Sequence, residues 1–228
     1  MQTIHSINLW IHIAFGTAGL LLGLVVLNAP KRKGLHTRFG RYFLSTLAVV
    51  VLTGLLGALF FRSTPFLMLL TLLSGYEGYS GFRAVRLRRQ KAGRQDVIIA
   101  VIVLITGLVY TARLNLGAGN WSPSVIYPTV GSLVFLTGYD LVKRFLWFER
   151  LRGFWLYEHI YKLISAFGAL LSAFCGNVFP AWQPYSQMVP GLFCLLMIAY
   201  FFRKVSARTF HSSSSVPANT VVPASRYQ

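Results

Sequence analysis

The chain has 228 residues, of which 55% are hydrophobic and only 12% are charged. Soluble domains carry roughly 25% charged residues, so this composition excludes an ordinary soluble domain and predicts an integral membrane protein. The formal net charge of +17 could also suggest a nucleic-acid partner. We exclude that partner because nearly all cations lie in short connections and chain ends around apolar segments, where they meet the lipid bilayer and its anionic headgroups.

Seven apolar segments follow one another along the chain, and each is interpreted as a transmembrane helix. The predicted helices cover residues 6–28, 40–61, 66–82, 96–116, 125–146, 156–178 and 188–202. The third is expected to continue as an exposed helix to residue 89. We therefore predict an all-α fold, a polytopic seven-helix transmembrane bundle over residues 1–205. Residues 206–228 show no periodicity and are predicted to form a disordered cytoplasmic tail.

The positive charges predict how the bundle lies in the membrane. Twenty of the 22 Lys and Arg residues fall on one side of this topology, and only Arg62 and Arg113 fall on the other. The positive-inside rule then places the N-terminus outside and the C-terminus in the cytoplasm. The five tryptophans fall at predicted helix ends, which is where an aromatic belt lies in a membrane protein.

The third helix ends in a repeat of glycine and aromatic residues, GYEGYSGF, at residues 75–82. Glycines three residues apart are expected to form a slanted groove of small residues on the helix surface. Glu77 lies in this groove beside Tyr76 and Tyr79. Burying an acid inside the membrane costs free energy unless the acid is paired, so such a residue is by default a candidate functional residue. For Glu77 a structural ion pair and a binding site remain equally open.

Further ionisable residues are expected at the same inner end of the bundle, and together with Glu77 they predict an inner-side polar cluster. The binding candidates are Glu77, Tyr76, Tyr79, Arg83, His36, Arg38, Arg41, Asp140, Glu158 and His159. The alternative for Asp140 and Glu158 is a structural one, in which each acid pairs with an arginine whose side chain reaches the interface.

Histidines raise the hypothesis of a cofactor. His12, about two turns into the first helix, could be an axial ligand of haem b, and its alternative is a hydrogen-bonded contact between helices. His36 and His159 form a second candidate haem pair at the inner end. The same two histidines, with Glu77 and Asp140, offer suitable ligands for a metal that activates water. The sequence contains no P-loop, no dinucleotide-binding glycine motif and no GxSxG motif.

Three functions are therefore compatible with the sequence. The first is binding or transport of a small solute or anionic lipid through the inner-side polar cluster. The second is a redox protein that holds haem b or a quinone, and the third is a metal-dependent membrane hydrolase. Whether the protein is an enzyme, and whether it joins a membrane complex or a homo-oligomer, stays open.

One motif carries a family resemblance. The stretch His12-Ile-x-x-Gly16 and the turn at residues 33–43 (KGLHTRFGRYF) resemble a family of predicted bacterial membrane proteins, domain of unknown function 2306. The Gly81-Phe-Arg83-Ala segment and His159 at the start of the sixth helix fit the same resemblance. The chain departs from it at Thr37 and at residues 161–162. The resemblance implies a multi-pass protein of the bacterial inner (cytoplasmic) membrane and implies no activity.

Overall fold

The computed structural model describes residues 2–31, 34–61, 65–114 and 122–214, with side chains described as far as residue 207. All regular structure in these ranges is helical. Seven α-helices of 19 or more residues and one short α-helix follow in order, and two single-turn 3-10 helices (Arg152–Phe154 and Pro180–Trp182) adjoin α7. They are α1 (Gln2–Asn28), α2 (Leu35–Phe60), α3 (Pro65–Leu87), α4 (Arg94–Ala112), α5 (Pro123–Phe145), α6 (Phe148–Leu151), α7 (Trp155–Val178) and α8 (Tyr185–Ser214).

Six of the long helices are long and apolar enough to cross a membrane, namely α1, α2, α4, α5, α7 and α8, the last two within the stretches Phe148–Val178 and Tyr185–Ala207. Large apolar side chains also face outwards. On α4, Ile98, Ile102 and Ile105 are each more than half exposed, an arrangement that suits contact with lipid chains. The chain is therefore an integral membrane protein, in agreement with its composition.

The remaining long helix, α3, is less apolar because its second half carries tyrosine, serine, glycine and Glu77. It lies in the interior of the bundle, where it packs against α2, α4, α5 and α7. Polar residues on an interior helix avoid lipid, since neighbouring helices surround them. The position of α3 thus explains how the least apolar helix fits into an apolar bundle.

Contacts between helix ends show that the helices alternate in direction. The Lys31 ammonium, just after α1, lies 5.0 Å from the Phe201 ring in the second half of α8. The Arg88 guanidinium, just after α3, lies 5.9 Å from the Trp155 ring at the start of α7. We call this the basic end. At the opposite, distal end the rings of His5 and Phe61 are 4.7 Å apart.

Two helix boundaries differ by five or more residues from the sequence prediction. Helix α2 begins at Leu35, five residues earlier than predicted, so the basic residues after the turn are helical. Gly34 precedes it with φ of 121°, a conformation that glycine adopts without strain. Helix α8 continues to Ser214, because no proline or glycine interrupts residues 203–214. The predicted tail therefore begins as helix, and residues 215–228 lie outside the described part of the chain.

Buried side chains form two apolar clusters. The first joins α1, α2, α7 and α8 around Phe43, Leu47 and Phe167. The second joins α3, α4 and α5 around Tyr76 and Leu133. Helices α3 and α7 pack extensively against each other between these clusters. The buried ion pairs and Glu77 lie on or beside this central helix pair.

Glycines permit the closest helix contacts. A Cβ atom at Gly23 of α1 would lie 2.3 Å from the Phe167 ring of α7, and one at Gly78 would lie 2.5 Å from Leu47 of α2. Gly81 meets Leu163 of α7 in the same way, at 2.4 Å. The predicted glycine groove of α3 is thus a packing surface that side chains of α2 and α7 fill.

Candidate functional site around Glu77

An ion pair lies at the centre of the polar cluster. Lys162 of α7 is 3% exposed, and its Nζ lies 2.6 and 2.8 Å from the two carboxylate oxygens of Asp140 on α5. Tyr76 of α3 donates its hydroxyl to Asp140 Oδ2 at 2.7 Å. The pair therefore joins three helices, and the hydrogen bonds compensate much of the cost of burying its charges.

A second buried carboxylate is satisfied in the same manner. Glu158, in the first turn of α7, accepts hydrogen bonds from Lys143 Nζ at 2.5 and 2.7 Å. The Tyr139 hydroxyl, also from α5, donates to Glu158 Oε1 at 2.8 Å. Both lysines of the cluster are thus each bound to a carboxylate. Asp140 and Glu158 are thus each paired with a cation, which was the structural alternative considered for them from the sequence. The cations are lysines and not the expected arginines.

A third group closes the side of the cluster between α3 and α4. Arg83 donates to both carboxylate oxygens of Asp96, at 2.6 and 2.8 Å, and the Tyr79 hydroxyl donates to Asp96 Oδ1 at 2.7 Å. The backbone N–H of Gly93 donates to Asp96 Oδ2 at 2.8 Å, which caps the start of α4. Two sequence candidates, Tyr79 and Arg83, therefore bind an acid of the chain itself.

Glu77 differs from these acids. It is 3% exposed, its Oε2 is buried without a hydrogen-bond partner, and it forms no salt bridge with any cation in the described part of the chain. Lys162 is close enough to attract it electrostatically, but that ammonium already binds Asp140. Buried carboxylates are normally paired or hydrogen-bonded. Glu77 is therefore the acid that can accept a proton or a positively charged partner.

Glu77 lines a cavity of about 600 Å³, which we call the Glu77 cavity. It lies between α5 and α8 and has a floor of α3 and α7 residues, and it extends to distal-end residues such as Tyr185 and Gln187. Its lining is mainly apolar, with hydroxyl groups from Ser132, Ser165 and Tyr161. A mostly apolar cavity with a few polar groups is the usual form of a small-molecule site.

A second, smaller cavity of about 60 Å³ lies towards the basic end. Tyr76, Asp140 and Lys162 form one wall, and Arg88 and Phe148 line it near the surface. Tyr76 in this wall precedes Glu77 in the chain, and Lys162 in the same wall is close enough to attract the Glu77 carboxylate. Glu77 itself is one residue from the midpoint of α3, ~18 Å along the helix from Pro65. The two cavities thus approach each other from opposite ends near the middle of the bundle.

His36 and His159 lie together at the basic end, away from Glu77. Their ring centroids are 6.5 Å apart, with the ring planes nearly perpendicular. His159 Nδ1 lies 3.1 Å from the carbonyl oxygen of Gly81, so this nitrogen carries the hydrogen and donates it. Both histidines line a third cavity, of about 350 Å³, which we call the histidine cavity.

The remaining sequence candidates, Arg38, Arg41 and His12, line none of these three cavities. Arg38 is exposed and donates to the Tyr42 hydroxyl at 3.3 Å, and Arg41 is also exposed. His12 Nδ1 lies 2.9 Å from Thr53 Oγ1 on α2. The Thr53 hydroxyl donates to carbonyl oxygens of its own helix, so His12 donates to Thr53. This is the hydrogen-bonded helix contact that the sequence offered as the alternative to a haem ligand.

Several residues of the site were not among the sequence candidates, namely Lys162, Lys143, Tyr139 and Asp96. Lys162 gave a usable signal, because it is a lone lysine between apolar residues one turn after Glu158, as a buried charge would be. Lys143 and Asp96 each lie within two residues of an arginine, near the ends of predicted helices. From the sequence alone, these two residues could not be distinguished from charged residues that face lipid headgroups.

The histidine pair is compatible with two ligands of a metal or haem, and His159 has the backbone partner that often orients such a ligand. In the described ranges no three His, Cys, Asp or Glu side chains come together as a metal site. His36, His159, Glu77 and Asp140 therefore do not form the common set of ligands that the hydrolase hypothesis requires.

Comparison with known proteins adds no further assignment. No protein family, no curated protein and no solved structure matches this chain.

Proposed function

We propose that this protein binds a small organic cation in the Glu77 cavity and moves it across the membrane. The bundle would have seven spans, with the basic end in the cytoplasm, as the positive-inside rule predicts. One observation carries the proposal: Glu77 is a buried carboxylate whose Oε2 has no hydrogen-bond partner among the described residues, and it lines a cavity of about 600 Å³.

The chemistry of the cavity favours a cation with an apolar body. Glu77 is the acid in its lining, and no Lys or Arg lines it within the described residues. The rest of the surface consists mainly of aromatic and aliphatic side chains, with uncharged hydroxyl groups and the amide of Gln187. A carboxylate in such surroundings attracts positive charge strongly because little water screens it. A bound cation also stabilises the ionised form of the Glu77 carboxyl group more than it stabilises the protonated form.

Transport is supported by the position of Glu77 between two cavities. Binding sites of transporters commonly lie near the bilayer midplane, and access alternates between the two sides of the membrane. Here the Glu77 cavity reaches the distal end, and the smaller cavity reaches the basic end. The Asp140–Lys162 pair lies between the two cavities. Its side chains would have to move aside for a solute to pass from one cavity to the other.

Binding is tested with tetraphenylphosphonium and with tetraphenylborate, which has almost the same shape but the opposite charge. Equilibrium dialysis of the protein in lipid nanodiscs gives the dissociation constants. We expect Glu77→Gln to weaken tetraphenylphosphonium binding at least about tenfold, the loss of roughly 1.4 kcal/mol or more that removing one charge-assisted contact produces. The matched control Glu149→Gln changes an exposed acid of the same type and should leave binding unaltered.

The proposal is overturned if Glu77→Gln binds tetraphenylphosphonium as tightly as the unmodified protein does. It is also overturned if the unmodified protein binds tetraphenylborate as tightly as tetraphenylphosphonium. Transport is tested separately by exchange of labelled cation in proteoliposomes loaded with unlabelled cation. Exchange that is absent while binding is intact would reduce the function to binding alone.

The redox and hydrolase hypotheses make different predictions for the same purified sample. A haem protein absorbs near the Soret region, and a metal hydrolase retains metal that His36→Ala and His159→Ala remove. Either result would assign the protein to that class and would remove the reason to place the function at Glu77.

A further inference from the structure

The histidine cavity is separate from the Glu77 cavity and has the opposite electrostatic character. Among the described residues its polar lining consists of Lys31, His36, His159 and Lys204, and it contains no acid. Apolar residues form the rest, with Phe167 and Gly23 at its deep end and Trp155 and Phe201 nearer the surface. The cavity thus combines an apolar interior with a basic opening at the basic end of the bundle.

The two lysines at the opening have no acidic partner among the described residues. Neither Lys31 nor Lys204 forms a salt bridge with an acid in the described part of the chain, whereas the lysines of the Glu77 region are both paired. Partial burial and the neighbouring Lys204 ammonium lower the pKa of Lys31. An anion between the two ammonium groups would remove this repulsion.

Lys31 is also held in place. Its Nζ donates to the carbonyl oxygens of Val26 and Leu27 at 2.6 and 2.9 Å, and it lies over the Phe201 ring. An ammonium group has three N–H donors, so one remains for a ligand. A lysine already fixed by two backbone contacts loses little side-chain entropy when an anion binds.

The cavity has room for a hydrocarbon chain. Its volume of about 350 Å³ lies within the range of roughly 300–1,000 Å³ that is common for small-molecule sites. Gly23 lies eight residues before Lys31 along α1 and its connection, so the deep end is ~12 Å from the basic opening. The depth suits a single chain that enters from the membrane surface, tail first.

We propose that the histidine cavity binds a single-chain amphiphile whose anionic phosphate headgroup lies between Lys31 and Lys204, beside His36 and His159. The apolar chain extends towards Gly23 and Phe167. The same headgroup chemistry occurs in free inorganic phosphate and in lipids, and the length and apolar lining of the cavity favour the lipid-like source. This site is independent of the cation function proposed for Glu77.

Native mass spectrometry of the detergent-solubilised protein tests the proposal by counting one-to-one adducts. The probes are dodecyl phosphate, dodecyltrimethylammonium, dodecyl maltoside and inorganic phosphate. We expect saturable one-to-one binding of dodecyl phosphate only. Equal binding of the cationic or neutral dodecyl probe would show that charge plays no part, and binding of inorganic phosphate as tight as that of dodecyl phosphate would show that the chain plays none.

Paired variants locate the site. Lys31→Gln with Lys204→Gln should weaken dodecyl phosphate binding at least about tenfold, because both charged contacts are lost. Lys91→Gln with Arg203→Gln removes the same net charge from exposed residues that do not line the cavity, and it should leave binding unchanged. Because Lys31 also caps α1, Lys204→Gln alone serves as a second variant that preserves the fold.

The proposal is overturned if the Lys31/Lys204 variant binds dodecyl phosphate as well as its control does. It is also overturned if the purified protein carries a chromophore with a Soret band that disappears in His159→Ala, because a porphyrin would then occupy the cavity. Binding of tetraphenylphosphonium at Glu77 should be unaltered in Lys204→Gln, which separates the failure of this proposal from failure of the cation function.

Discussion

Lys162 and Asp140 form an ion pair in which Nζ lies 2.6 Å from Oδ1 and the lysine side chain is 3% exposed. The two residues are on α7 and α5, so the pair connects two helices that both pack against α3. The Tyr76 hydroxyl of α3 binds the same carboxylate. All three helices of the centre are therefore coupled through one carboxyl group.

Removal of one member of this pair should destabilise the protein strongly. Asp140→Asn leaves the Lys162 ammonium buried without its counter-ion, a situation that costs about 3–5 kcal/mol in other proteins. Unfolding in mixed micelles with increasing SDS measures the loss. The double variant Asp140→Asn with Lys162→Met should recover most of it, because no charge is then buried alone. Equal stability of the single and double variants would contradict an ion pair of this kind.

Gly23 should tolerate no side chain, since a Cβ atom there would lie 2.3 Å from the Phe167 ring. We expect Gly23→Ala to lower the free energy of unfolding by about 1–3 kcal/mol through overpacking. Gly40→Ala is the control, because a Cβ atom at Gly40 has open space and alanine favours a helix by about 1 kcal/mol over glycine. Gly23→Ala with Phe167→Leu should restore part of the loss. If both glycine variants behave alike, close packing of α1 on α7 is not the cause.

The hydrogen bond from His12 to Thr53 should stabilise the contact between α1 and α2. A double-mutant cycle with His12→Phe and Thr53→Val measures its coupling energy, which we expect to be about 0.5–1.5 kcal/mol. The visible absorbance spectrum of the purified protein should not change in His12→Phe. A coupling energy near zero would mean that the two side chains contribute independently, and the role of His12 would then lie elsewhere.

The orientation of the bundle can be measured by cysteine labelling after Cys175 and Cys194, both free thiols, are replaced by alanine. Lys91→Cys places a thiol at the basic end, and Tyr185→Cys places one at the distal end, where Tyr185 is 68% exposed. In intact cells a membrane-impermeant maleimide should label Tyr185→Cys only. Labelling of Lys91→Cys in intact cells would reverse the predicted orientation, and the histidine cavity would then open to the outside.

Hydropathy was sufficient to predict where the long helices lie, because a bilayer selects segments by length and apolar content. The predicted helix at residues 156–178 agrees with α7, which runs from Trp155 to Val178. The start of α2 was missed because basic residues near headgroups carry no hydropathy signal although they remain helical. The surroundings of α3 were also not predictable, since hydropathy does not say which neighbours cover a helix.

The candidate site was predictable in part. Glu77 was selected because an acid inside an apolar segment is expensive, and the structure gives it a cavity and no salt bridge in the described ranges. Lys162 was counted among interfacial cations, although it binds Asp140 in the interior. The sequence shows how far along a helix a charge lies, but only packing shows which helix it faces.

The interior position of α3 has a consequence for how the protein is made in the cell. The ribosome delivers α3 well before α5 and α7, whose side chains pair or pack with its tyrosines and glycines. Helices α5 and α7 therefore do not yet cover the polar half of α3 when it first leaves the translocation channel. Lipid alone is a poor environment for these polar residues. We expect α3 to stay at the channel or the bilayer surface until α7 emerges, so that insertion of this helix is a late, cooperative step of biogenesis.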